Sequence, residues 1–192
     1  MAKLKTVTAT LKFTKGSISF QGYVLVDAKA TVRLPAESDT VYRVRYQDLL
    51  IGLEVVITGG HVYLRPPFSG FTEVTGKNAA DIPDVARLFD LNTGLPALIP
   101  AGKNAKYLAA DKVGDVDSHK IAVTYTAAQI ERLLPQLKSG GDVNATIWVG
   151  GSDHLIRKAV LEGPFGDNGA ASSIEVDISA FNAPATIASP SP

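Results

Sequence analysis

The sequence predicts an α+β fold: a strongly curved antiparallel β-sheet, a half-barrel, with a few short helices on its concave face enclosing an apolar cavity. Three observations carry this expectation. Apolar and polar residues alternate with a period of two over long stretches, which marks antiparallel strands with one buried and one wet face. Glycine-rich pairs separate several of these stretches at hairpin spacing. Helical periodicity is confined to three short segments.

The strands follow in order. Val7, Ala9, Leu11 and Phe13 alternate with Thr6, Thr8, Thr10 and Lys12. Val24, Val26, Ala28, Ala30 and Val32 then alternate with Asp27, Lys29, Thr31 and Arg33, and Tyr42, Val44 and Tyr46 with Arg43 and Arg45. Leu49 to Thr58 is apolar on both faces, and Gly59-Gly60 turns it back into His61 to Leu64. Ala105 to Val113 and Val116 to Tyr125 flank Gly114-Asp115, while Val143 to Val149 and Leu155 to Glu162 flank Gly150-Gly151-Ser152-Asp153. Ser173 to Phe181 is the last strand, with Ile174, Val176, Ile178 and Ala180 on one face.

Each helix has a start signal. Asp81 is positioned to cap a helix carrying Ile82, Val85, Ala86 and Phe89 on one side. Thr93 is positioned to cap a second, through Leu95, Leu98 and Ile99, which Pro100 stops. Thr126 and Gln129 form a capping box for a third, with Ile130, Leu133 and Leu134 on one face and Pro135 and Gly140-Gly141 at its end. With a polar outer face, the helices belong on the inner side. A twisted sheet of this length tends to curl.

Length and charge narrow the function classes. The 192 residues fit one domain, expected over 1–184, with a flexible tail rich in Pro, Ala and Ser over 185–192. Nineteen basic residues cancel nineteen acidic ones, so nothing marks a nucleic-acid backbone as a partner. Without cysteine there is no disulfide, thiolate metal site or cysteine nucleophile. Apolar runs are strand-sized and interrupted by charges, too short for a spanning helix. Met1-Ala2 reads as an added start from which a natural leader has been removed.

Catalytic and metal chemistry find no constellation. His61 and His154 fall in turns and His119 on a strand, expected on its wet face. Asp111, Asp115 and Asp117 lack the spacing of a calcium loop. No Gly-x-Ser-x-Gly elbow occurs. Gly163, Gly166 and Gly169 lie between two strands, whereas a phosphate cradle needs a strand-loop-helix unit. The expectation is therefore no enzyme, no catalytic residue, no metal and no cofactor.

The C-terminal half carries a resemblance. Asn144-Ala145-Thr146-Ile147-Trp148-Val149 followed by Asp153-His154-Leu155-Ile156-Arg157-Lys158-Ala159 resembles a strand pair of the mycobacterial LppX/LprG-type lipoproteins. Leu88-Phe89-Asp90-Leu91-Asn92-Thr93-Gly94-Leu95 is similar to that family's Leu-Asp-Pro-x-x-Gly-Leu link between helices. Gly114-Asp115 with Lys120-Ile121 is similar to its Asp-Gly turn and Lys-Ile strand. Ser179-Ala180-Phe181-Asn182-Ala183-Pro184 is similar to its closing Ser-x-Trp-Asn-x-Pro, with Phe181 in place of Trp. The match runs from about Asp81 to Pro184. Its order and spacing carry the resemblance more than any single motif.

The resemblance implies a half-barrel related in architecture to the bacterial Lol lipoprotein carriers. It implies a cavity for acyl chains of envelope lipids or acylated glycolipids, an extracytoplasmic location and, in the full-length form, anchoring to the cell membrane. A membrane exporter is a candidate partner. Two family features, a lipobox cysteine and a helix before the first strand, are not seen in this sequence, and the anchor is expected to be missing from it.

An acyl ligand suits the residues available. Each buried methylene is worth about 0.8 kcal/mol, so roughly sixteen carbons gain on the order of 12 kcal/mol with few polar contacts. Candidate lipid-binding residues on strands are Val24, Val26, Leu49, Ile51, Leu53, Val55, Ile57, Val62, Leu64, Ile147 and Ile156; on helices they are Val85, Phe89, Leu95, Leu98, Ile130, Leu133 and Leu134. Singly, each reads more readily as dry core. Together they exceed what three short helices can cover. Leu49 to Leu53 is a candidate lip of the pocket, and Pro66-Pro67-Phe68-Ser69-Gly70-Phe71 either a membrane-facing loop or a turn folded onto its own domain. The alternative functions are a protein-interaction module with a solid core and an esterase acting on such lipids.

Overall fold

The computed structural model describes residues 4–20 and 22–190; Met1-Ala2 lies outside them. Twelve strands alternate with few helical turns: β1 (Thr6–Lys15), β2 (Ser19–Phe20), β3 (Tyr23–Arg33), β4 (Glu37–Tyr46), β5 (Leu49–Thr58), β6 (His61–Arg65), β7 (Thr72–Val74), β8 (Lys103–Val113), β9 (Val116–Tyr125), β10 (Val143–Gly150), β11 (Ile156–Gly163) and β12 (Ser172–Ser179). Three α-helices, α1 (Gly76–Ala80), α2 (Leu95–Leu98) and α3 (Ala127–Leu133), are accompanied by 3-10 turns at Val85–Phe89, Ile99–Ala101 and, between β11 and β12, Asp167–Gly169.

All strands belong to one antiparallel sheet in the order β7-β6-β5-β4-β3-β1-β12-β11-β10-β9-β8, with β2 hanging on β3. The first and last strands in sequence, β1 and β12, thus meet at its centre. β7 and β8 form the two edges, so the sheet stays open. Leu53 of β5 and Val143 of β10, six strands apart in this order, share one hydrophobic core with the helical turns. Only a sheet curled into a half-barrel brings them together.

Several elements depart from the sequence expectation. On β3 it is Leu25, not Val24 or Val26, that joins Ala28, Ala30 and Val32 in the core. A bulge between Leu25 and Asp27 inserts Val26 and inverts the alternation, leaving Val24 opposite exposed Arg45. Asp81 does not start a helix; it ends α1. Pro83 biases Ile82 away from helical backbone, and the chain restarts as a 3-10 turn whose cap is Asp84, accepting from Ala86 N at 3.0 Å. Gly94 rather than Thr93 caps α2; the Thr93 hydroxyl donates to Asp90, which also accepts from the N–H of Asn92 and Thr93. On α3, Gln129 reaches back to accept from Thr126 N at 2.8 Å, as expected.

The last strand ends at Ser179, because Ala180 takes a positive φ of 49° and turns outward into solvent. The chain then clasps β1: Asn182 N donates to Thr6 O at 2.8 Å, Asn182 Oδ1 accepts from Lys5 N at 2.8 Å, and the Thr6 hydroxyl donates to Ala183 O at 2.5 Å. Beyond Pro184, where composition suggests a loose tail, Ile187 is buried and the Ser189 hydroxyl donates to the Tyr63 hydroxyl at 3.2 Å. One apolar side chain and one hydrogen bond hold this segment against the sheet.

Trp148 lies on the outer face between Lys120 and Lys158, whose Nζ atoms stand 4.9 and 5.8 Å from its ring centroid. Its indole N–H donates to Asp111 at 2.9 Å. That bond, with the Lys112 N–H and the charge of Lys120, holds the Asp111 carboxyl below the usual carboxylate range. A depressed pKa means the bond survives while ordinary carboxylates protonate and is lost as pH falls further. Trp148 is the single tryptophan. Its fluorescence should therefore show an acid transition with a midpoint below about 3.9, and Asp111→Asn should remove that transition.

Candidate functional site

The helical turns lie on the concave face, and the space between them and the sheet is the candidate site. Val85–Phe89 packs on β3 and β4, while α2 packs on α3 and on that turn. Because a 3-10 turn repeats every three residues, Val85 and Leu88 project together toward the sheet. Both line a first hollow with Ala9, Leu25, Ala30 and Tyr42. A second hollow lies beside Leu95, Leu98, Leu133, Ile147 and Ile178. Leu11, Leu88, Leu134, Leu137 and Val176 line both, so one thin wall divides them.

Both hollows are small. The space open to the centre of a water molecule is about 30 Å³ in the first and 40 Å³ in the second, against roughly 300–1,000 Å³ for a drug-sized site. The lipid-sized cavity expected from the excess of apolar surface is instead two narrow apolar gaps, because the helical layer settles onto the sheet. Among the described residues, three side-chain hydrogen bonds to backbone carbonyls help to fix that layer. The Tyr42 hydroxyl donates to Pro83 O at 2.6 Å, Gln129 Nε2 to Ala101 O at 2.8 Å, and Gln136 Nε2 to Ala80 O at 3.2 Å. Side-chain packing supplies the rest, and packing alone yields at lower cost than a hydrogen-bonded ladder.

Two tyrosines show how different the polar groups of this interior are. Tyr42 and Tyr125 are each 1% exposed. The Tyr42 hydroxyl has its carbonyl partner, whereas the Tyr125 hydroxyl has none among the described residues. Burial raises both pKa values, that of Tyr125 to about 12. Both phenols therefore favour the fold below about pH 10, and this contribution falls as pH rises toward the folded value. Tyr42→Phe should cost about 1–3 kcal/mol by orphaning the Pro83 carbonyl, and Tyr125→Phe should be neutral or stabilising. Thermal melts of the two variants check this contrast.

Of the residues singled out from sequence, Val85, Leu95, Leu98, Leu133, Leu134 and Ile147 line the hollows. Leu53, Val55, Ile57, Ile130 and Ile156 are buried in the surrounding core, and Ile51, Val62 and Leu64 pack half-buried against it. Phe89 is buried but borders a separate surface groove near Leu4 and Pro35. Leu49 is 67% exposed at the β4–β5 hairpin tip, and Val24 and Val26 lie away from both hollows. Phe68 is fully exposed, while Phe71 folds back under the Arg65 guanidinium. His119 is exposed as expected, but pairs with inward Val149 and stands 6.0 Å from Tyr107 on the concave side.

Sequence reasoning missed the floor. Ala9, Leu11, Ile174, Val176 and Ile178 come from β1 and β12, whose alternation is plain but whose central place appears only in the strand order. Gly94 was visible as part of a link motif, and the structure supplies its reason. A Cβ there would lie 2.6–2.7 Å from the carbonyl oxygens of Arg87, Leu88 and Asp90.

Arg157, in the His-Leu-Ile-Arg stretch, pairs with Asp153 and stands 4.4 Å over the Phe181 ring. Phe181 thus supplies an aromatic face at the closing motif, where a Trp would offer the same contact.

Known proteins share this arrangement. The structure of LprF from Mycobacterium bovis superposes with a TM-score of 0.75 at 21% identity, over 99% of this chain and 91% of that one. Mycobacterium tuberculosis lipoprotein LppX does so with a TM-score of 0.69 at 17% identity, over 97% and 91%. Curated relatives include lipoarabinomannan carrier protein LprG of Mycolicibacterium hassiacum, 35% identical over 85 residues, 44% of this chain and 37% of that one. LprG of Mycolicibacterium smegmatis is 24% identical over 131 residues, 66% and 53% of the two. The matches thus span about a third to a half of the length of these curated relatives. The family model for LppX_LprAFG lipoproteins matches residues 7–187, from the first strand through the clasp. The chain belongs to the LppX_LprAFG lipoprotein family.

Proposed function

We propose that this protein carries lipids or acylated glycolipids of the cell envelope, non-enzymatically, with acyl chains held between the concave face and the helical layer. The observation that carries the reading is the pair of adjoining apolar hollows behind a layer held mainly by packing. Family membership and the carrier names of its relatives support it. Since the hollows are too small for a full chain, loading requires the layer to lift and the dividing side chains, Leu88 and Leu134 among them, to part. Enclosure of each methylene returns about 0.8 kcal/mol toward that opening. On this reading the protein works outside the cytoplasm, on a membrane anchor, and hands its cargo to an exporter or acceptor.

The small volume favours a second reading, a module with a solid core that binds protein through its outer face. Native mass spectrometry and lipid extraction of protein purified from a mycobacterial host distinguish the two. Stoichiometric acylated lipid is the expected result; protein that stays lipid-free, even after incubation with envelope lipid extract, overturns the carrier reading.

A further inference from the structure

We infer that two exposed apolar tips, the β4–β5 hairpin and the β6–β7 loop, insert into the surface of a lipid bilayer. The inference goes beyond lipid carriage, because it concerns the outside of the molecule and needs no cargo. Leu49, Leu50 and Tyr46 stand 67%, 56% and 43% exposed at the hairpin, and Phe68 is fully exposed in the loop. Scattered surface leucines are ordinary, but large apolar side chains gathered at one end of a fold mark a contact.

Strand register puts both tips at the same end. Tyr46 pairs with Leu49 where the β4–β5 hairpin closes. Arg65, the last residue of β6, pairs with Glu54, and the chain beyond it runs on toward the Leu49 end before β7 turns back. Val24 pairs with Arg45 on one side and with Ser19 on the other, so the groove bordered by Ile18 and Phe20 opens at this end too. Exposed Leu91 stands at the opposite end, beside Leu4 and Pro35.

The β6–β7 loop holds Phe68 outward. Pro66-Pro67 stiffens the approach, and Ser69 N donates to Pro66 O at 3.3 Å, closing a turn in which Phe68 takes a φ of 60°. Left-handed backbone is strained for a bulky side chain, and a fully exposed ring makes no buried contact in return. Apolar surroundings outside the chain would offset that strain.

A bilayer suits these tips better than a protein partner. A protein interface engages about 20–30 residues a side, whereas a lipid phase takes up each protruding side chain singly. Charges near the tips are matched: Arg43 pairs with Asp27 and Arg65 with Glu54, while Arg45 and Asp48 are opposite in sign. The patch is also continuous with the interior. Ring centroids step from Tyr46 to Tyr23 over 5.3 Å, to Phe20 over 6.1 Å and to Tyr42 over 5.9 Å, and Tyr42 lines the first hollow. With the hairpin seated among acyl chains, this row of rings joins the hydrocarbon to the concave face.

The test is flotation of the 192-residue chain, which has no cysteine to acylate, with phosphatidylcholine vesicles and with vesicles half phosphatidylglycerol. Binding to both, little changed by salt, is the expected result. Leu49→Ser combined with Leu50→Ser should weaken it about a hundredfold and Phe68→Gly about tenfold, from the worth of enclosing each side chain. These positions are exposed, so the variants should fold. Phe68→Gly should melt no lower than the parent, since glycine accepts the left-handed turn without strain. Leu91→Ser, at the far end, should bind as the parent does. Absence of binding, binding confined to anionic vesicles and lost in salt, or binding that survives the tip substitutions overturns the inference. Self-association without vesicles that the leucine substitutions abolish also overturns it, by making the tips an interface between copies. None of these outcomes touches the carrier reading, which lipid content tests separately.

Discussion

Ala30→Trp should abolish lipid carriage while leaving the sheet folded. Ala30 is 1% exposed, pairs with Ala9 and Thr40, and forms part of the floor of the first hollow. An indole there would occupy the path of an acyl chain. If about four methylenes lose their place, roughly 3 kcal/mol of enclosure goes with them, more than a hundredfold in Kd. Overpacking should also lower stability by about 1–3 kcal/mol, a loss that circular dichroism melts would register separately. Thr31→Trp is the control, since Thr31 pairs with Thr8 and Asp39 on the outer face. Lipid content by native mass spectrometry should fall in the first variant and hold in the second. Full loading of Ala30→Trp would place the cargo somewhere other than this interior.

The second large effect is structural and falls on the helical layer. Gly94→Ala sets a methyl group against three backbone carbonyls that cannot swing aside as a flexible side chain would. Gly94 also donates to Asp90 O at 2.9 Å and accepts from the N–H groups of Ala97 and Leu98, so displacing it disturbs the whole start of α2. A cost of about 3 kcal/mol is expected. Hydrogen exchange should reveal where it falls: amides of 85–101 should lose protection while those of β1 and β12 keep theirs. A uniform loss across the sheet would mean that the layer and the sheet unfold as one unit.

How much was legible in advance follows from the periodicities. β1, β4 and β12 read directly, because period-two alternation on a one-sided sheet is a strong signal. β3 read with the right phase from Ala28 onward and the wrong one at Val24 and Val26, since a bulge at Val26 leaves no mark in composition. The β4–β5 turn carries no glycine either. Gln47 and Asp48 take positive φ values of 46° and 66° themselves, the backbone that Gly59-Gly60 supplies in the next hairpin. The first helix was misplaced because apolar spacing was read at 3.6 residues per turn, whereas α3 lies where its capping box puts it. Between Pro83 and Gly94 the chain repeats at three, so Leu88 went unmarked and Phe89 was placed in the wall. The size of the cavity could not be read at all. Patterning tells which side chains face inward, not how closely the layer above them comes to rest.

The clasp between Asn182 and Thr6 has a geometric consequence. The start of β1 and the segment just after β12 lie together at one end of the central strand pair, whereas the groove bordered by Ile18 and Phe20 opens beyond the opposite end of β1. Ten residues of extended strand separate them by about 30 Å. On the carrier reading, a molecule leashed to a membrane at its amino terminus would point that groove away from the bilayer when the leash is short. To dip that groove back into the same leaflet, it needs at least about ten residues of extended leader. Leader length would then select between loading from the home membrane and delivery outward across the envelope.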